Sequence, residues 1–134
     1  MTPPYLGLDI GLTRTGVAIS ESGIVAQPIG VIECTPPHRH ELLTNVLRYI
    51  REYGVQTIVV GIPLTSDDAP TAQASKVEAA IAELTAHLSE NGTHPTFVTV
   101  NEFGSTQSAR RGHGELDDNA AAAAIILQEY LDSQ

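Results

Sequence analysis

Four acidic side chains fall at the ends of predicted strands and helices, where side chains from different elements can meet. Asp9 lies inside an apolar run, Glu102 follows a β-rich segment, and Asp117 and Asp118 open the last predicted helix. A buried lone carboxylate is costly unless it is paired or binds a cation. Each residue also has an ordinary explanation: a hydrogen bond to the following glycine turn for Asp9, a loop position for Glu102, and an N-cap for one of the two aspartates. Together they form a candidate catalytic or metal-binding group.

The elements that would position these carboxylates follow from the hydrophobic periodicity. Three short runs at the start predict an antiparallel meander, and helical and β-branched segments alternate after it. The predicted strands are Tyr5–Ile10, Thr15–Ser20, Val25–Cys34, Thr57–Val60 and Phe97–Val100, and the predicted helices are His40–Tyr53, about Thr71–Glu90 and about Asp118–Leu131. This order predicts one α/β domain over residues 1–134, built on a mixed five-stranded sheet with helices on both faces.

The predicted sheet brings the carboxylates to one edge. Its first strand is central and neighbours the first crossover strand, and ligands bind beyond the carboxyl ends of parallel strands. Asp9, Glu102 and the start of the last helix are therefore expected to meet there. Convergent carboxylates without an adjacent lysine favour hard cations such as Mg²⁺ or Mn²⁺. Two such ions can clamp the attacking and leaving oxygens of a phosphodiester during in-line hydrolysis.

Helical geometry chooses between the two aspartates of the last helix. Residues four apart share a helix face, and Asp118 lies four residues before Ala122 and eight before Ile126. Asp118 is therefore expected on the face that packs against the sheet. Asp117 is rotated by about 100° and is better placed as an N-cap. We favour Asp118 as the third ligand, with Asp117 as the alternative.

The composition limits the class of protein. The 134 residues carry 7 basic and 16 acidic side chains, and the formal net charge of −9 argues against holding nucleic acid by bulk attraction. A single cysteine, Cys34, excludes an intramolecular disulfide and a cysteine-based zinc site. The N-terminus shows no signal-peptide pattern, and no apolar run approaches the roughly 18 residues of a membrane span. We expect a cytoplasmic protein that does not bind a membrane.

Four segments of the chain resemble, in order, the blocks of the YqgF/RuvX family: LGLDIGLTRTGVAIS, IVVGIPL, VNEFGST and DDNAAAAAIILQEYLD. The family pattern L-x-x-D-x-G-x-x-x-x-G-V-A matches Leu6–Ala18 at every fixed position. Its D-E-R-x-T/S-T block corresponds to Asn101–Thr106, and its closing D-x-x-A-A helix to the stretch from Asp117. The family consists of RNase H-like proteins described as candidate pre-16S rRNA nucleases and Holliday-junction-resolvase-like enzymes. The resemblance implies an RNase H-like fold and a two-metal nuclease with Asp9, Glu102 and a last-helix aspartate as ligands.

Candidate substrate contacts come from basic and hydroxyl side chains near the same blocks. Arg14, in the first turn near Asp9, would either contact a phosphate or pair with a carboxylate, and the sequence leaves both open. The Thr106 hydroxyl would donate to a phosphate or close a local turn. Arg110 and Arg111 lie in a segment that is often basic in the family. The implied partners are an rRNA precursor, branched or single-stranded DNA, and ribosomal particles, for a monomer or a homodimer.

A second interpretation is a non-catalytic nucleic-acid-binding or ribosome-maturation module that keeps the fold. Phe103 stands where the family pattern has an arginine, and alignment of the last helix from its apolar end puts Asn119 at the aspartate position. A metal-dependence assay separates the two interpretations, since only a nuclease cleaves. With few basic residues, binding is expected to be weak, salt-sensitive and metal-dependent.

Overall fold

The structure is a computed structural model that describes residues 3–35, 39–63, 72–102 and 118–134, with the backbone alone for Glu102 and Asp118. The elements are β1 Tyr5–Ile10, β2 Arg14–Ser20, β3 Gln27–Glu33, α1 His40–Tyr53, β4 Thr57–Pro63, α2 Ala72–Glu90, β5 Thr96–Glu102 and α3 Asp118–Asp132. Every predicted strand and helix is confirmed, with ends that differ by at most three residues. Glu102, predicted to follow the last strand, is the final residue of β5.

The strands form one five-stranded sheet in the order β3-β2-β1-β4-β5. The β1–β2 and β2–β3 pairs are antiparallel, whereas the β1–β4 and β4–β5 pairs are parallel. The predicted mixed sheet with a central first strand is therefore confirmed. Since β1, β4 and β5 run in the same direction, their carboxyl ends share one edge of the sheet.

Two hydrophobic clusters, one on each face of the sheet, form the core. The first contains Leu6 and Leu8 of β1 with the buried residues of α1 and α2. The second contains Tyr5 of β1 with Ile126 and Leu127 of α3. Successive side chains of a strand point to opposite faces, and β1 follows this rule. Its odd-numbered residues, which include Asp9, therefore face α3.

The ends of α1 follow from its sequence. Its apolar residues recur at helical spacing, and Leu42, Val46, Leu47 and Ile50 are buried against the sheet. Gly54 ends the helix with φ of 69°, in the left-handed region that glycine adopts without strain. The Gly54 N–H donates to the Ile50 carbonyl at 2.8 Å, and the chain then turns into β4.

None of the helices in the part of the chain that the structure describes is long and apolar enough to cross a membrane.

Candidate active site

Asp9 is the penultimate residue of the central strand β1. It is half-buried, although the residues on either side of it are buried. Its register partner in β2 is Gly16, so the two residues lie on the same face of the sheet. This is the face that α3 covers. The sequence prediction of a strand-end carboxylate within an apolar run is confirmed in position.

The start of α3 packs on β2, the strand that pairs with β1 at Asp9. A Cβ atom at Gly16 would stand 1.7 Å from the Asn119 carbonyl oxygen, so only glycine allows this approach. Farther along the helix, a Cβ atom at Gly7 would stand 2.8 Å from the Leu127 Cβ. Helix α3 therefore runs opposite to β1, and its N-terminus lies at the carboxyl end of that strand. The structure thus places Asp118, the first residue of α3, one residue from the Asn119–Gly16 contact.

Glu102 ends β5 at the same edge of the sheet. It is in register with Pro63, the last residue of β4. Strand β4 in turn pairs with β1 up to Leu8 and Val60. Glu102 therefore lies two strands away from Asp9, at the end where the parallel strands stop.

Arg14 begins β2 and faces a carboxylate, but this carboxylate belongs to Glu33 of β3. The two are register partners, and their Nη1 and Oε2 atoms are 3.8 Å apart. The Nε atom of Arg14 is buried without a hydrogen-bond partner among the described residues. The sequence left open whether Arg14 contacts a phosphate or pairs with a carboxylate, and it did not indicate Glu33 as the partner. The signal was available only through the β2–β3 register.

Four other predicted site residues lie outside the described residues: Thr106, Arg110, Arg111 and Asp117. Among the side chains that the structure describes, no group of three or more His, Cys, Asp or Glu residues could hold a metal ion. Of the three predicted ligands, only Asp9 belongs to that set.

The donor set suits a hard divalent cation. Strand β1, strand β5 and the start of α3 carry Asp9, Glu102 and Asp118, whose side-chain donors are carboxylate oxygens. Mg²⁺ and Mn²⁺ prefer such oxygen ligands. The missing Cβ at Gly16 lets the helix that carries Asp118 approach the strand that carries Asp9. The chemistry of these three residue types therefore suits the predicted metal.

The fold is of the RNase H-like class. It resembles RuvC of Thermus thermophilus, solved in complex with a Holliday junction substrate, with a TM-score of 0.64 over 98% of this chain and 95% of that one, at 16% identity. The yeast mitochondrial Holliday junction resolvase Ydc2 is similar at a TM-score of 0.52 over 98% of this chain and 83% of its own, at 13% identity.

Sequence comparison identifies the family within this class. Residues 4–133 match the family model of RuvX, described as a Holliday junction resolvase. A protein of Chloroflexus aggregans is 34% identical over 96% of this chain and 93% of its own length, and one from a Roseiflexus species is 34% identical over 96% and 94%. Both relatives carry the name of candidate pre-16S rRNA nucleases. The chain belongs to the RuvX family, a family of nucleases.

Proposed function

We propose that this protein is a divalent-metal-dependent nuclease that hydrolyses phosphodiester bonds. Asp9, Glu102 and Asp118 are its proposed catalytic carboxylates and metal ligands, with Asp117 as the alternative to Asp118. The observation that carries the proposal is the contact between the Asn119 carbonyl and Gly16, the register partner of Asp9. It brings the start of α3 to the carboxylate of β1.

The strand register supports the inclusion of Glu102. Val98 and Val100 of β5 pack in the cluster on the α3 face, and Glu102 continues this even-numbered series along the strand. Asp9 faces the same side, because its register partner Gly16 lies under α3. Two strand ends and one helix start therefore bring the backbone positions of Asp9, Glu102 and Asp118 to one edge of the sheet.

The proposed chemistry divides between the ions and the chain. Two bound Mg²⁺ or Mn²⁺ ions would polarise the phosphodiester and make an attacking water more acidic. Asp9 holds its ligand position from a strand that is packed on both faces, which keeps it in place. The positive end of the helix dipole at the start of α3 favours an anionic phosphate. Arg14, Thr106, Arg110 and Arg111 are the proposed contacts to the nucleic acid backbone.

The proposed substrates follow from the relatives. The curated relatives are named for pre-16S rRNA, whereas the family model and the RuvC structure are named for Holliday junctions. We therefore propose structured RNA at the 5′ end of the 16S rRNA precursor, or branched DNA, as substrate. The RNA substrate would bring the protein to ribosomal particles in the cytoplasm.

The test is cleavage of three labelled probes by the whole protein: a structured RNA that spans the 5′ end of pre-16S rRNA, a single-stranded RNA, and a four-way DNA junction. Cleavage of at least one probe is expected with Mg²⁺ or Mn²⁺, and EDTA should abolish it. Mutation of a residue that only supports a metal ligand typically costs about 10- to 100-fold in activity. Asp9→Asn changes a proposed ligand itself, so it should reduce the cleavage rate by more than that. Its thermal unfolding should remain cooperative.

Asp132→Asn is the matched control. It makes the same chemical change on an exposed residue at the far end of α3, and cleavage should persist. Cleavage by Asp9→Asn at the wild-type rate would contradict the assignment of the site. Binding of the probes without cleavage under any metal would favour the non-catalytic module.

A further inference from the structure

An open cleft of about 480 Å³ lies beside the proposed catalytic edge. The turn between β1 and β2, the end of β3 and the start of α1 surround it. Its lining residues are Thr13, Arg14, Glu33, Cys34, Thr35 and Glu41. Among the described lining residues Arg14 is the one with a positive charge, and Glu33 and Glu41 are the two with a carboxylate.

Arg14 is held in the cleft by charge but not by hydrogen bonds to Glu33. The separation of 3.8 Å between Nη1 and Oε2 exceeds the about 2.7–3.2 Å of an N–H···O hydrogen bond. Glu33 is 73% exposed and Arg14 is 35% exposed, and ion pairs this accessible to water are weak. The buried Nε of Arg14 also has no partner in the described part of the chain. One guanidinium donor, the buried Nε, therefore lacks a partner among the described residues, and the Glu33 carboxylate beside Nη1 is easily displaced.

Arg14 lies on the same face of the sheet as Asp9. Asp9 pairs with Gly16, and Arg14 is two residues before Gly16 in the same strand. The two residues are thus diagonal neighbours in an antiparallel pair, whose Cα atoms are typically about 7–8 Å apart. A phosphate held at the Asp9 site, or the next phosphate along the backbone, is within reach of an arginine side chain from there.

A backbone phosphate is the ligand that best suits the Arg14 guanidinium. The planar guanidinium binds phosphate oxygens with two parallel hydrogen bonds, a geometry that a carboxylate matches only when it is aligned. The Glu33 carboxylate is not aligned with Arg14, because the pair lacks a hydrogen bond. A phosphate that displaced Glu33 would form the hydrogen bonds that this carboxylate does not.

We propose that Glu33 competes with the nucleic acid backbone for Arg14, so that substrate binding exchanges a Glu33–Arg14 ion pair for a phosphate–Arg14 contact. The proposal rests on the nuclease function above. It makes Arg14 a substrate-binding residue and Glu33 a positioning residue that weakens binding of nucleic acid. In an acidic chain, this competition disfavours the binding of any nucleic acid backbone that does not also contact the proposed site at Asp9, Glu102 and Asp118.

The experiment compares Glu33→Gln with Glu52→Gln. Glu52 pairs with Arg48 at 3.9 Å in an exposed pair on α1, so both variants remove one carboxylate from an arginine and change the net charge equally. Binding to the labelled single-stranded RNA and the four-way DNA junction is measured by fluorescence anisotropy with Ca²⁺ in place of Mg²⁺ or Mn²⁺, and again in EDTA, and this readout requires no cleavage. Glu33→Gln should tighten binding of the better-bound probe about two- to five-fold, the range expected for removal of a weak ion pair, and Glu52→Gln should not.

Arg14 supplies the second half of the test. Arg14→Gln should weaken binding about ten-fold or more and reduce the slope of log Kd against log salt by about one. In the Arg14→Gln background, Glu33→Gln should have no further effect, because the two residues act through one interaction. Arg14→Lys, which keeps the charge without the planar fork, should restore only part of the affinity.

The outcomes separate this proposal from the function on which it rests. Equal effects of Glu33→Gln and Glu52→Gln would reduce the result to net charge and overturn the competition. Tightening by Glu33→Gln that persists without Arg14 would also overturn it. Metal-dependent cleavage with unchanged binding in Glu33→Gln would leave the nuclease intact and this inference wrong. If the wild type neither binds nor cleaves any probe, both fail.

Discussion

Gly16 of β2 lies directly under Asn119 of α3, so closely that a Cβ atom at position 16 would stand 1.7 Å from the Asn119 carbonyl oxygen. Gly16 is also the register partner of Asp9. The absence of a side chain therefore serves the proposed site as well as the packing. It lets the helix that begins at Asp118 reach the strand that carries Asp9.

Gly16→Ala should separate these two elements. The new Cβ would meet backbone atoms, which cannot rotate away, so α3 must shift. Overpacking typically costs about 1–3 kcal/mol, and we expect a loss of about 3 kcal/mol in the free energy of unfolding, measured in urea. Displacement of the helix start should also lower the cleavage rate about 100-fold, since catalysis is sensitive to shifts near 1 Å.

Gly30→Ala is the control for this substitution. Gly30 is also a strand glycine, but a Cβ there would meet only the Tyr49 hydroxyl, at 3.2 Å. The free energy of unfolding of the Gly30→Ala variant should differ from that of the wild type by less than about 1 kcal/mol. Comparable losses in the two variants would mean that the effect comes from the strand and not from the approach of α3.

The sequence predicted the order of elements because the hydrophobic period differs so clearly between them. However, the predicted ends of two strands, β4 and β5, came too early in the chain. β4 continues to Pro63 and β5 to Glu102, where the last three residues of β4 pair with Val100–Glu102. In β5 the pairing continues through Asn101 and Glu102, past the last apolar side chain, which a side-chain pattern cannot show. In β4 the strand continues through Gly61 to the buried Ile62, although glycine is usually depleted in strands.

The site was less predictable than the fold. Asp9 could be predicted as a site residue because a carboxylate within an apolar run is unusual. The partner of Arg14 was not, because it depends on the β2–β3 register, which shifts between Val17 and Ala18 and which the long connection between these strands does not fix. The role of Gly16 depends on a contact with Asn119, which is distant in sequence.

A divalent cation should stabilise the folded protein if the carboxylates bind it. Binding to the folded state alone adds about 2.7 kcal/mol to the free energy of unfolding when the ligand is at 100 times its Kd. We therefore expect Mg²⁺ or Mn²⁺ to raise the urea midpoint of the wild type, and Asp9→Asn to lose most of this rise. Asp132→Asn should keep it. An equal rise in all three proteins would point to a salt effect.

Gln128 ties the loop between β2 and β3 to α3. Its Oε1 accepts from the Ala26 N–H at 2.9 Å, and its Nε2 donates to the Ile24 carbonyl at 2.8 Å. Gln128→Ala should cost about 1–2 kcal/mol, because the partly buried Ala26 N–H loses its partner. Hydrogen exchange at Ala26 should accelerate while that of Val17, inside β2, follows the global stability. Glu129→Ala, at an exposed neighbour, should leave Ala26 protected.

Tyr130 should make the stability of the fold sensitive to alkaline pH. Burial raises the pKa of Tyr130 above its usual value, and the nearby Tyr5, whose ring centroid is 6.0 Å away, raises it further. A raised pKa means that the unfolded chain releases the phenol proton first. The contribution of Tyr130 is therefore complete below pH of about 10, the ordinary tyrosine pKa, and is lost as pH rises through the folded value.

Urea midpoints measured from neutral pH to above this value should fall in the wild type and fall less steeply in Tyr130→Phe. Parallel curves for the two proteins would show that Tyr130 does not account for the alkaline loss.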